Sequence, residues 1–410
     1  MTALYRTAVL LLVACSATTV FAAEPTTKPA RGPHPRPAVV GVDGLDVFAD
    51  RAAGRLHLLT VLKPGDGHAA LAYQRSDDAG ATWTAPVPVG AGQPEPTPSH
   101  RGADAQIAAA GDRVVAVWTT PGTIDRFGRG PMASAVSADG GRTWAPGPDP
   151  SDSGQATGHA FVDVAADADG TFHCVWLDSR TGDKGLRYAR STDGGRTWSA
   201  NQTLVGVTCE CCWNALATGP GGRVWVLFRQ RMPRDMAVVA STDGGKTWGP
   251  PVPAARFGWK MEACPHVGGG LALPPEPDGR SLHAVVWTGG GGDGAIGAYV
   301  LTSPDLGHTW GEPTLLGDWK GTRPDVATAP RGRVAAVWDA RTTEPAGGDG
   351  QAVFARTSVD GGKTWTEPRR LSRPEAAATH ARVVPAGDGF VVLWTESEQG
   401  KTTWRQAAVK

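Results

Sequence analysis

The sequence predicts an all-β fold, a β-propeller of four-stranded blades, and three observations carry that prediction. An eight-residue motif recurs six times, its copies are spaced by about one four-stranded sheet, and the composition suits short strands joined by tight turns. Of 410 residues, 55 are Gly, 33 Pro and 16 Trp, too much glycine and proline for a helical protein. A single repeat array absorbs the whole length as one domain.

The motif begins with Ser76-Asp77-Asp78-Ala79-Gly80-Ala81-Thr82-Trp83 and returns as S-A-D-G-G-R-T-W from Ser137 and S-T-D-G-G-R-T-W from Ser191. It continues as S-T-D-G-G-K-T-W from Ser241, S-P-D-L-G-H-T-W from Ser303 and S-V-D-G-G-K-T-W from Ser358. Its residue types have a physical logic. The Asp carboxylate accepts backbone N–H groups across a tight turn, and the Gly supplies positive φ. The Thr starts the next strand, and the Trp offers a large apolar face between neighbouring sheets. The motif is identified as the Asp box, and the chain after residue 38 resembles the sialidases and their relatives.

The motif tryptophans, at 83, 144, 198, 248, 310 and 365, lie 50 to 62 residues apart, one blade each. Each unit opens with a short strand such as Asp163-Val164-Ala165 and continues with one ending in an aromatic, Thr171 to Trp176. A third strand such as Leu186 to Arg190 runs into the box, and a fourth follows it. After the last box a further unit is legible at His380–Val384, Phe390–Trp394 and Thr403–Val409, without a box or a fourth strand. The stretch Pro37–Val42 is placed to supply the missing outer strand and remove an open edge. Seven blades are therefore favoured, with six, the number the sialidase resemblance implies, as the alternative.

Residues 1–23 read as an export signal: Arg6 precedes an apolar run from Ala8 to Ala14 that is too short to span a bilayer. Two cleavages compete. Val20-Phe21-Ala22 suits ordinary signal peptidase, whereas Leu12-Val13-Ala14-Cys15 resembles a lipobox that ends the signal at residue 14 and anchors the chain through lipid on Cys15. Either way the mature protein is exported, to the periplasm, cell envelope or exterior. Residues 24–37, rich in Pro, Thr and basic side chains, form a disordered linker, and 38–410 the propeller.

Lys+Arg and Asp+Glu are both 40, so nothing asks for nucleic acid, and Cys15 is the only expected tie to a membrane. No nucleotide-binding glycine loop, G-x-S-x-G elbow or H-E-x-x-H helix is present. Chemistry is expected on the face where the first strands begin, because loops there converge on the axis. Those loops carry His100, Arg101 and Asp104, then His159 and Asp163, then Cys209 to Asn214. They continue with Glu262, Cys264 and His266, then Arg323 and Asp325, then His380 and Arg382. The ends of second strands add Asp178, Arg180, Arg229, Arg231, Asp339, Arg341 and Glu396.

Cys174 alternates with Phe172 and Trp176 and reads as a small core residue. The cysteines of C-E-C-C, Cys209, Cys211 and Cys212, and Cys264 of A-C-P-H open adjacent blades on one face, so they should meet. Three readings stand. Outside the cytosol they form disulfides, with His266 they ligate a soft ion such as copper(I) or zinc, or they are free thiols.

The sialidase resemblance implies a glycan-directed hydrolase with a bound acidic sugar. An arginine triad would hold the carboxylate, mapped onto Arg101, Arg323 and Arg382, with Asp104, Asp163 or Asp325 as the acid. The chain departs from the family in two respects. The Phe/Tyr-Arg-Ile-Pro motif is absent, and Tyr73, Tyr188 and Tyr299 lie in third strands, away from the position a tyrosine nucleophile needs. The other reading is a binding or scaffold propeller with the Cys/His cluster as a metal site or disulfide staple.

Overall fold

The computed structural model describes residues 40–63, 68–99, 102–123, 128–154, 157–261, 266–275, 280–290, 296–317, 321–342 and 350–410. Among them every regular element is a β-strand. Residues Ala38–Lys410 form one compact unit.

The strands fall into seven antiparallel groups. Blade one begins with Val40–Asp50, two with Gln106–Ala110, three with Ala160–Ala166 and four with Ala215–Gly219. Blade five begins with Gly269–Ala272, six with Gly321–Ala329 and seven with Ala377–Ala386. Each first strand contacts the next, and that of blade seven contacts that of blade one, so the seven close into a ring around an axis. Over the described residues this is a β-propeller with seven blades. Blades two to six are four-stranded sheets, while blades one and seven are continuous across the closure.

Burial explains the strand sequences. Second strands such as Arg223–Arg229 and Arg333–Arg341 lie mid-blade with neighbouring blades on both faces, so their residues form nearly unbroken buried apolar runs. The core is correspondingly interblade: Val175, Leu177 and Tyr188 of blade three pack with Val226, Phe228 and Val239 of blade four. The fourth strands, at the rim, have two to four residues. Pro88, Pro146 and Pro253 sit in them, where an edge needs no further donor and short length limits stray pairing.

All six boxes share one hydrogen-bond pattern. The Ser hydroxyl donates to the Asp and accepts the N–H of the second Gly position, each at 2.7–2.9 Å. The Asp also accepts the Thr amide at 2.7–2.9 Å and the Thr hydroxyl at 2.6–2.7 Å. The boxes therefore join third to fourth strands as closed turns, and their carboxylates are fully engaged.

Of the stretch expected to close the ring, Pro37, Ala38 and Val39 lie outside the described residues. Among the described residues Val40 and Gly41 pair, in parallel, with Lys401 and Thr402 before the same strand becomes the first of blade one. The first strand of blade one thus braces the outer edge of blade seven at these residues. Side chains supplement it: Trp83 Nε1 donates to Gln406 Oε1 at 2.9 Å, Gln406 Nε2 donates to Gly80 O at 2.7 Å, and Trp83 meets Trp404 edge-on.

Candidate functional site

The start of a first strand controls what reaches the axis. In blades three, six and seven the first two strands slip register between Val175 and Leu177, Thr322 and Asp325, and Thr379 and Arg382. At each bulge a non-glycine residue takes positive φ: Phe161 (+54°), Arg323 (+46°) and His380 (+59°). Two residues on, at the same level of the axis, stand Asp163, Asp325 and Arg382. Asp46 of blade one occupies that level too. The dipeptide Asp-Val marks it in blades one, three and six, a signal that comparing first strands would have exposed.

Three of these aspartates bind the neighbouring blade. Asp46 accepts the N–H of Ile107 at 2.9 Å, Asp163 that of Leu216 at 2.6 Å and Asp325 that of Val383 at 3.0 Å. The second oxygen of Asp163 and of Asp325 accepts the amide of its own following valine at 2.9 Å. They line a cavity of about 160 Å³ together with Gln106, Asn214 and Arg382. Burial, and then the Asp46 charge, push Asp163 up to about 7. Burial likewise raises Asp46 and Asp325, against the opposing field of Arg382. Arg382, 3.5 Å from Asp46, is disfavoured by burial, but Asp46, Asp325, Asp104 and Asp163 outweigh this and hold its pKa above the ordinary arginine value.

Trp213 divides the axis. It lines both the 160 Å³ cavity and a smaller one of about 20 Å³ above it, and its Nε1 donates to Gly269 O at 3.0 Å. Its ring lies between Gly102 and Gly268, and a Cβ at either would collide with it. This plug was not foreseen, because only tertiary contact brings those glycines onto the ring. The upper cavity is lined by Asp104, Arg323, His380 and Arg382. His380 Nε2 is 3.5 Å from Asp104 Oδ1, and its Nδ1 is 3.2 Å from Thr395 Oγ1. Arg323 donates to Thr379 Oγ1 at 2.7 Å and lies 4.0 Å from Asp339. Burial raises Asp104, opposed by Arg323 and then Arg382. An opening of about 620 Å³ lies at the other end of the axis, among the turns after the first strands.

Most charges at the ends of second strands pair within the fold instead of converging on the axis. Asp178 holds Arg187 and Arg180, Glu396 holds Arg373, and Arg229 donates to the carbonyls of Val267 and Trp287. His159 is buried against Ser151 and Ser153, and burial lowers it to about 4.

The thiols of Cys209, Cys211 and Cys212 converge, with Sγ separations of 3.6, 3.6 and 3.9 Å. All three are buried and free, as is Cys174 in the core of blade three. No two of the three are bridged, since each separation is well beyond a disulfide bond of about 2.05 Å. Arg234 Nη1 donates to Cys209 Sγ at 3.0 Å. Hydrogen bonds from Cys211 and Cys212 hold the Cys209 thiol well below its usual range, and burial pushes Cys212 up. His266 was expected among these ligands, but among the described residues the group whose ligand atoms converge comprises the three thiols alone. Arg101 and Cys264, with His100 and Glu262, lie outside the described residues.

The BNR repeat-like domain model matches residues 44–253 and 178–407. No curated protein matches the chain. Among solved structures, an ulvan lyase of polysaccharide lyase family PL25, bound to -[GlcA(1-4)Rha3S]-, superposes with TM-score 0.59 at 12% identity, covering 91% of this chain and 94% of that one. The Hadza microbial sialidase Hz136 gives 0.48 at 15% identity over 82% and 73%. The Penicillium chrysogenum alpha-L-arabinanase, complexed with arabinobiose, gives 0.48 at 13% over 74% and 92%. With two matches that together span nearly all of the propeller, and six Asp boxes of one geometry, the chain belongs to the BNR repeat-like domain family of sialidase-like β-propellers.

Proposed function

We propose that this chain is a glycan-directed propeller that takes an acidic saccharide where the first strands begin, holding its acidic group on Arg323 and His380 beside Asp104. One observation carries the reading. Groups from blades two, six and seven line the same 20 Å³ cavity above Trp213. That volume takes about one water-sized group, so it admits the carboxylate end of a ligand rather than a sugar ring. A guanidinium fork matches a carboxylate in shape and charge. Phe161 shares the left-handed backbone of Arg323 and His380, so the bulge belongs to the fold. The polar side chains that blades six and seven place on it distinguish the site.

Recognition fits this geometry better than two-carboxylate hydrolysis. Such hydrolysis needs two carboxyl groups flanking the substrate. Asp163 and Asp325 spend both oxygens on backbone amides, and Trp213 separates their cavity from the mouth. The saccharide on the ulvan lyase is acidic, which makes uronate oligosaccharides the first ligands to try beside sialosides. This reading places the propeller outside the cytosol, in keeping with the export signal expected in residues 1–23.

Calorimetric titration with sialyllactose and with uronate oligosaccharides tests it. Binding by the native chain should weaken on the order of tenfold or more in Arg323→Ala and His380→Ala, as for a lost charged hydrogen bond. Product analysis for new reducing ends and unsaturated uronates runs alongside. If no acidic saccharide binds the native protein, the proposal is wrong. Turnover requiring Asp163 or Asp325 would restore the hydrolytic reading.

A further inference from the structure

The loop from blade three into blade four does something an ordinary core would not require. Within four residues it turns three cysteines so that their sulfurs form a triangle with edges of 3.6, 3.6 and 3.9 Å. The three form a buried cluster of their own, apart from the aliphatic cores of the blades. Cys174 shows the contrast: it lies singly among Val, Phe and Trp side chains as a small apolar residue.

Two ordinary explanations fall short. Three thiols cannot all pair with one another, and no edge of the triangle is near a bonded S–S distance of about 2.05 Å. Filling space would be done as well by Ala or Val, without gathering three polarizable, ionisable groups in one place.

The triangle does have the dimensions of a metal site. Its centre is about 2.1 Å from each sulfur, so an ion just off its plane makes three bonds of about 2.3 Å, a usual metal–thiolate length. Thiolates select soft ions. Zinc is almost always four-coordinate in structural sites, whereas the converging group, among the described residues, has three donors and no carboxylate or imidazole. Negative charge on the sulfurs is opposed by Arg234, which donates to Cys209, and by Arg229, whose carbonyl accepts the Cys209 amide and whose field favours the thiolate of Cys209 and Cys212.

We propose that Cys209, Cys211 and Cys212 form a three-coordinate thiolate site for monovalent copper. Each thiol that ligates releases its proton to solvent, so affinity falls as pH falls. The loop runs directly from Cys212 into Trp213, whose ring crosses the axis, so loading the site pins the plug. The proposal is independent of the saccharide reading, and either can fail alone.

The experiment uses the full chain, purified from the periplasm, reduced, freed of reductant under anaerobic conditions and titrated with copper(I) buffered by a chromogenic chelator. One copper per chain should be retained, with tryptophan emission changing to the same endpoint. Copper should protect the three thiols from alkylation, read by mass spectrometry, and a stronger chelator should expose them again. Cys209→Ser, Cys211→Ser and Cys212→Ser should each lose affinity on the order of 100-fold, while Cys174→Ser should bind like the native chain. The alkylation pattern needs no variant, so a misfolded substitution leaves the test intact. Four results would overturn the proposal: all copper left on the chelator, the three cysteines isolated in disulfides, zinc displacing copper mole for mole, or loss of the site in Cys264→Ser, which would mean a fourth ligand.

Discussion

The carboxylate of Asp163 accepts the backbone N–H of Leu216 at 2.6 Å, reaching from the first strand of blade three to that of blade four. The same link joins Asp46 to Ile107 and Asp325 to Val383. First strands of adjacent blades belong to different sheets, so at these points an aspartate supplies the acceptor that a neighbouring strand would otherwise provide. An asparagine has a single acceptor oxygen and cannot serve both Leu216 and Val164. Asp163→Asn should therefore cost about 1–3 kcal/mol in urea unfolding. An unchanged midpoint would show that the link is dispensable.

The same residue gives a pH signature. Its folded pKa of about 7 lies above the ordinary 3.8, so the native state holds this proton more tightly than the unfolded chain. Its contribution to stability is greatest below about pH 4 and is lost as pH rises toward 7. The stability gap between the native protein and Asp163→Asn should accordingly narrow from pH 4 to pH 7, measured as unfolding free energy at half-unit steps. A gap that widened would reverse the assignment.

The boxes behave in the opposite sense. The Thr hydroxyl and then the Thr amide hold Asp78, Asp139 and Asp305 down at about 2, below the ordinary 3.8. Their contribution is present above pH 3.8 and is lost as pH falls through 2. Near-UV circular dichroism should show the tryptophan environments of the boxes failing in that window. Thr82→Val, which removes one hydroxyl donor, should move the change at blade one to higher pH.

Two glycines with like backbone make a matched pair. Gly245 (φ +77°) and Gly221 (φ +71°) are both left-handed, but a Cβ on Gly245 would strike the Tyr188 hydroxyl, while one on Gly221 meets nothing within 4 Å. Gly221→Ala should cost about 1 kcal/mol of backbone strain, and Gly245→Ala about 2 kcal/mol or more beyond that. Thermal unfolding of the two variants side by side measures the difference. Equal losses would mean that Tyr188 moves aside freely.

Closure can be tested at Gly41, where a Cβ would run into the Thr402 carbonyl. Gly41→Ala should loosen the brace between Val40–Gly41 and Lys401–Thr402. Hydrogen exchange should then quicken along Lys401–Val409 and stay unchanged in blades three and four, since local opening follows local contacts. Uniform acceleration would indicate that the ring opens as a whole.

How much of this was legible in advance follows from the range of each interaction. The Asp boxes were readable because each closes on itself within eight residues, Ser to Asp to Gly to Thr, so motif and geometry coincide. The second strands were readable because burial on both faces imposes an unbroken apolar run. The seventh unit was readable for the same reason. The repeat of the blades sets Asp104, Arg323 and His380 at equivalent strand entries, but their meeting across blades two, six and seven in one cavity was not readable.

By itself the sequence determined the scaffold: its repeat count, the path of each blade and the face on which the loops converge are all encoded in local patterns of turn and burial. The tertiary structure decided what those loops can do. It alone tied Asp163 and Asp325 to the next blade, laid Trp213 between Gly102 and Gly268 across the axis, and left His266 out of the group in which Cys209, Cys211 and Cys212 converge. The reason is physical. A local motif carries its own partners, whereas the fate of a charge or a ring on the axis is set by groups fifty or more residues away, which only the packing of blade on blade brings into contact.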